Sequence, residues 1–96
     1  MNKLISKILL RNGDLIFWYC PGCETCHSVN IIDDDRPAWK WNGNAEKPTF
    51  EPSVLTIGVK RCHCFIKDGK IDFLSDCEHF LAGQVVDIPE YPFKEM

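Results

Sequence analysis

Long apolar runs are missing from this sequence. None approaches the roughly 18 residues of a membrane-spanning helix, and the first residues, Met1-Asn2-Lys3-Leu4-Ile5-Ser6-Lys7, lack the apolar stretch of a signal peptide. The expectation is a cytoplasmic protein with no membrane partner. Concentrated positive charge is missing too. The 11 Lys and Arg residues are scattered, only Lys60 and Arg61 are adjacent, and the formal net charge is −3. Phosphate contacts need clustered basic side chains, so no nucleic-acid partner is expected. Repeats, low-complexity segments and linkers are absent as well, so the 96 residues read as one domain.

Cysteine is plentiful: there are six in 96 residues, and Cys20-Pro21-Gly22-Cys23 places two of them on one tight turn. A secreted disulfide scaffold could use as many, but a reducing cytoplasm keeps thiols free, and Cys-x-x-Cys spacing suits a metal. A chain this short also gains from a staple, and a metal is one of the usual ones.

Turn residues punctuate the chain every ten or so positions, as in all-β proteins. Asn12-Gly13-Asp14 separates an apolar run over Ile5–Arg11 from another over Leu15–Cys20, which is a strong hairpin signal. The second run is apolar throughout, reads as a strand buried on both faces, and ends on Cys20. A short strand is expected over Val29–Ile32. Asp33-Asp34-Asp35 lacks the alternating ligands of a calcium loop and reads as a solvated turn. Trp39-Lys40-Trp41 is expected as an edge strand with both indoles on one face. Pro48 and Pro52 hold the next stretch extended, and a strand over Ser53–Val59 follows. Lys67-Asp68-Gly69 turns a second hairpin, joining Arg61–Ile66 to Lys70–Leu74. Ser75 with Glu78 three residues on forms a capping box, and Gly83 suits a helix end, so one short helix is expected near 75–82. A last strand over Gln84–Ile88 precedes a tail, 89–96, expected to be loosely held. The fold class is mainly β: a small antiparallel sheet or partly open barrel built of hairpins, with a metal knuckle at a strand end.

Tetrahedral zinc needs four ligands. Cys20 and Cys23 supply two. The others come from Cys26, His27, Cys62, Cys64 or Cys77, and Cys62 on a neighbouring strand would tie two hairpins together. Cys62 and Cys64 share one strand face, and His63 takes the other. A redox Cys-x-x-Cys would need a βαβ unit, which the pattern does not contain. An iron–sulfur cluster would also accept thiolates, but zinc is favoured because there is one clean Cys-x-x-Cys with His27 close by. Cys64 and Cys77 read most simply as buried free thiols. A catalytic zinc would need an open coordination position and an acid or base such as Glu24.

Four other polar residues lie at element ends or mid-strand: Ser53, His63, Asp76 and His79. A serine beside a histidine that a carboxylate orients is the general recipe for an acyl-transfer nucleophile. The bland alternative makes each a structural residue.

Several stretches together resemble a known family. They are Cys20-Pro21-Gly22-Cys23 with His27, Trp39-Lys40-Trp41-Asn42-Gly43, Pro48-Thr49-Phe50-Glu51-Pro52-Ser53, Cys62-His63-Cys64-Phe65-Ile66-Lys67-Asp68-Gly69-Lys70-Ile71, and Asp76-Cys77-Glu78-His79-Phe80-Leu81-Ala82-Gly83-Gln84. The family is one of short phage and bacterial proteins of unknown function, related to the BubE-type peptidases of bacterial ubiquitin-like conjugation operons. The resemblance implies a serine peptidase acting on a protein tail inside a bacterial cell, with a ubiquitin-like or host protein as partner. It implies Ser53 as nucleophile and His63 as base, with Asp76 or His79 orienting the base or binding substrate. It also implies Cys20, Cys23, His27 and Cys62 as zinc ligands, while Cys26 and Cys64 look particular to this chain. The competing function is a non-catalytic, zinc-stabilised phage accessory module that contacts a host protein through Trp18, Trp39 and Trp41. Those tryptophans would otherwise be core.

Overall fold

The computed structural model describes residues 2–93. It is all-β, with nine antiparallel strands in two sheets. The first sheet contains β1 (Asn2–Leu4), β2 (Leu10–Asn12), β3 (Leu15–Cys20) and β4 (Thr25–Asn30), in that order. The second contains β5 (Lys40–Trp41), β6 (Phe50–Ile57), β7 (Arg61–Lys67), β8 (Lys70–Phe73) and β9 (Val85–Asp87), also in chain order. Each sheet is a meander, so the small antiparallel assembly expected from the hairpins takes the form of two such sheets. No helix of the described residues is long and apolar enough to cross a membrane.

Both predicted hairpins form, with turns that differ in how many central residues are left-handed. Asn12 pairs with Leu15, which leaves Gly13 and Asp14 as the central residues, and only Gly13 has a positive φ, of 59°. At the second turn Lys67 pairs with Lys70, and both Asp68 (φ 51°) and Gly69 (φ 77°) are left-handed. Both geometries match the right-handed twist of the flanking strands. The run over 5–11 is not one strand, because Ser6 Oγ accepts from the Ile8 and Leu9 amides and curls 5–9 into a loop between β1 and β2.

β3 alternates rather than being buried on both faces. Ile16, Trp18 and Cys20 face the core, and the alternate residues are half-covered. Part of that cover comes from the segment expected to hang loose. The Tyr91 N–H donates to Lys7 O at 2.8 Å, and the Phe93 ring lies edge-on to Tyr19. Residues 94–96 of that tail lie outside the described residues.

The core lies between the sheets. Trp18 is fully buried and stacks on Phe50, with centroids 5.9 Å apart, and Leu9, Ile16, Val29, Ile66, Ile71 and Phe73 close around them. β6 carries an irregularity between Phe50 and Val54 where its pairing to β7 slips. Pro52, which has no amide to give a ladder, falls within it.

The helix expected over 75–82 does not form, and among the described residues there is no helix. The segment is a chain of turns: Cys77 N–H to Leu74 O, Ala82 N–H to His79 O and Gln84 N–H to Leu81 O. Glu78 explains the change. Its N–H bonds to Arg61 O at 2.9 Å, and its carboxylate accepts the Arg61 N–H instead of reaching back to Ser75. A two-turn helix is marginal by itself, and these two bonds to β7, with the burial of Cys77 and His79, outweigh it.

Candidate active site and metal centre

Alternation along β7 sets the geometry. Cys62 and Cys64 are buried on the inner face, while His63 stands on the outer face and is half-buried. Leu55 is His63's cross-strand partner on β6, and Ser53, two residues earlier, shares its face. Ser53 Oγ lies 3.1 Å from His63 Nε2. His63 Nδ1 lies 3.2 Å from Asp76 Oδ2, in the turn segment after β8. A carboxylate there makes Nδ1 the protonated nitrogen and leaves Nε2 free to accept from the serine hydroxyl. Three of the four polar residues singled out from the sequence are thus in one hydrogen-bonded row.

The row is held from behind. The His63 amide donates to Cys77 Sγ (3.3 Å), the Cys77 thiol donates to His63 O (3.2 Å), and the Leu74 amide reaches the same carbonyl at 2.9 Å. The Trp39 indole N–H donates to Ser53 O at 3.2 Å. Neither Cys77 nor Trp39 was expected in this role. Their contacts run through main-chain atoms, which no residue spacing announces.

His79 is elsewhere. It is buried, edge-on to Phe73 at 4.7 Å, and accepts the Leu81 amide on Nδ1. Burial lowers its pKa and favours the neutral ring, with Lys60 adding to the effect. The ring lies against Gly22, where a Cβ would come within 2.3 Å of it. It therefore packs beneath the cysteine knuckle and is not part of the serine row.

The knuckle is the turn between β3 and β4, with Glu24 at its positive φ of 57°. Cys20, Cys23, His27 and Cys62 converge there, their donor atoms all within 4.8 Å of one another. Four ligands around a common zinc, with sulfur at about 2.3 Å, stand about 3.8 Å apart, and the Cys20 and Cys62 sulfurs are 4.0 Å apart. The Cys23 amide points at Cys20 Sγ (3.3 Å). His27 Nε2 is buried with no hydrogen-bond partner, as a ligand nitrogen facing a metal would be. Cys26 alternates to the other face of β4 and bonds to the Tyr91 hydroxyl at 3.4 Å. A second group, Cys62, Cys77 and His79, shares Cys62 with the first.

The described cysteines form no disulfide. The Cys62 hydrogen bond and burial push the Cys20 thiol up to about 12. Burial also raises Cys23. At Cys62 the bond to Cys20 lowers the pKa, but Cys64 and burial outweigh it and the net shift is upward. Crowded thiols of this kind stay protonated until a cation replaces the protons. The donor set is compatible with a metal ion.

An all-β chain here carries a serine, a histidine and a carboxylate in one hydrogen-bonded row, beside a cysteine–histidine cluster compatible with a metal ion. Residues 3–74 match the family described as the bacterial ubiquitination-like system serine protease, BubE. The chain belongs to that family. The matched span includes Ser53, His63 and the four converging residues Cys20, Cys23, His27 and Cys62, and ends just before Asp76. No curated protein and no solved structure matches the chain.

Proposed function

We propose that this protein is a serine peptidase of a bacterial ubiquitin-like conjugation system, one domain over 1–96, working in the cytoplasm on the tail of a protein partner. Ser53 is the nucleophile, His63 the general base and Asp76 the group that orients it. The observation that carries this reading is the continuous row from Ser53 Oγ through His63 to Asp76, with links of 3.1 and 3.2 Å.

Ser53 Oγ attacks the scissile carbonyl as His63 Nε2 takes its proton, and the Asp76 carboxylate steadies the imidazolium through Nδ1–H. The same proton passes to the leaving amine, so the peptide bond breaks and an ester on Ser53 remains. Water then attacks the ester, with His63 again as base, and frees the new carboxylate.

Cys20, Cys23, His27 and Cys62 would hold zinc, which would tie the β3–β4 knuckle to β7. Four protein donors leave no open position, so the metal is structural and Glu24 has no catalytic part.

Fluorophosphonate labelling tests the chemistry. Wild type becomes covalently modified on Ser53, while Ser53→Ala and His63→Ala do not. Equal labelling of Ser53→Ala would overturn the assignment. Elemental analysis of the purified protein tests the metal, with one zinc per chain expected.

A further inference from the structure

The second sheet has an open edge. β5 pairs with β6 only through Lys40 with Glu51 and Trp41 with Phe50, so beyond Glu51 no described strand covers that side of β6. The main-chain groups aimed there follow from β7. Arg61 exchanges its N–H and C=O with Glu78, and His63 gives its own to Cys77 and Leu74. Arg61 and His63 therefore turn their peptide groups away from β6. Their partners Ile57 and Leu55 form non-hydrogen-bonded pairs with them and must direct N–H and C=O to the open edge. Ser53 follows the same alternation, and its carbonyl is closed by Trp39. The open edge thus begins just past Ser53 and offers two donors and two acceptors.

Two further observations name the occupant. Exposed edges are usually blunted by charge or proline, as β5 is by Lys40 and β9 by Asp87 with Pro89 close behind. Between Ser53 and Ile57 there is neither. Instead Leu55 (51% exposed) and Ile57 (69%) flank the serine row on its own face. Thr56 on the opposite face, with Gly58 and Val59, lines a cavity of about 420 Å³ that reaches Cys23 and His27. A strand laid along the edge would place alternate side chains beside Leu55 and Ile57 and in that cavity.

We propose that an extended, unfolded segment of the substrate protein adds to β6 as a strand over Leu55–Ile57 and is led by that pairing to Ser53. The proposal deepens the hydrolase reading and rests on it. It makes the substrate class a tail or linker read mainly through its backbone, with alternate side chains setting preference.

The test uses the zinc-loaded, 15N-labelled Ser53→Ala chain. The probe is a mixture of acetylated, amidated heptapeptides randomised at every position, and the control is the same mixture with every peptide nitrogen methylated. The Leu55 and Ile57 amides are expected to exchange at least tenfold more slowly with the probe and at an unchanged rate with the control. Ile57→Pro removes an edge donor without removing a bond to β7, and should weaken binding about tenfold. If that variant does not fold, the comparison of the two mixtures on the unaltered edge decides. Equal effects of the two mixtures, protection only elsewhere, or an edge already protected in a dimer of the free protein would each overturn the proposal. Fluorophosphonate labelling of wild type separates the two claims, because so small a probe does not need the edge. Labelling without peptide protection sinks the docking alone, and protection without labelling sinks the hydrolase alone.

Discussion

The two sides of β7 differ as much as any two regions of the molecule. On the inner side Cys62 is 1% exposed and meets Cys20, Cys23 and His27 between the sheets. On the outer side His63 and Asp76 have side chains 26% and 44% exposed, with Ser53 on the neighbouring strand. One peptide bond separates the two worlds. Because strand side chains alternate, an anchor at one position fixes the height and angle of its neighbour on the opposite face. The inner cluster can be anchored between the sheets while the outer row stays open to solvent.

That division makes the two faces separable by mutation, with effects of decreasing size. Cys62→Ala, or stripping the metal with a chelator, should abolish the cooperative thermal transition, because structural zinc contributes on the order of 10 kcal/mol or more, comparable to a domain's whole stability of about 5–15 kcal/mol. Labelling at Ser53 should vanish with it. Circular dichroism melts read the first effect and a gel the second.

Ser53→Ala should do the opposite. Peptide hydrolysis falls on the order of 10⁶-fold, while zinc content is unchanged and stability shifts by less than about 0.5 kcal/mol. A loss of zinc in this variant would break the separation. Asp76→Asn should cost on the order of 10⁴-fold in kcat by presenting the wrong histidine tautomer, again with no change in metal affinity.

The inner face should respond to pH in its own way. Cys20, Cys23 and Cys62 are all raised above their ordinary value, so each thiol is neutral near pH 7 and would lose its proton on binding a metal. Affinity should therefore rise with pH and fall on acidification, about tenfold per pH unit for each proton released. Calorimetry in buffers of different ionisation enthalpy counts those protons. The smallest effect is expected from Gly22→Ala, whose Cβ would come within 2.3 Å of the His79 ring. Overpacking of this kind costs about 1–3 kcal/mol and should loosen the knuckle, measured as a lower Tm, while the Ser53 labelling rate holds.

Local signals were legible wherever the physics was local. Asp68-Gly69 declared its turn because few other residues accept two left-handed conformations in succession. Cys20-x-x-Cys23 declared a paired-thiolate turn, and Cys62 and His63 declared opposite faces of a strand. The sequence also marked Ser53, His63 and Asp76 as suited to one chemistry. It could not set their distances, since Ser53 and His63 meet only through the pairing of β6 with β7.

Where local and tertiary preferences conflicted, the tertiary ones won. Ser75 and Glu78 spell a helix start, yet Glu78 spends both its amide and its carboxylate on Arg61. His79, three residues from Asp76, was a candidate for the same serine site, and it packs under Gly22 instead. By itself, then, the sequence determined the two hairpin turns, the all-β character and the kinds of side chain available for metal and for acyl transfer, because these depend on φ/ψ preference and period-two alternation; strand bounds such as β4 at Thr25–Asn30, where Val29–Ile32 was expected, were set by pairing. The partners were decided only by the fold: Asp76 with His63, Trp39 with Ser53, and the bare edge at Leu55 and Ile57. Each depends on which strand lies beside which, and on main-chain groups that every residue carries alike.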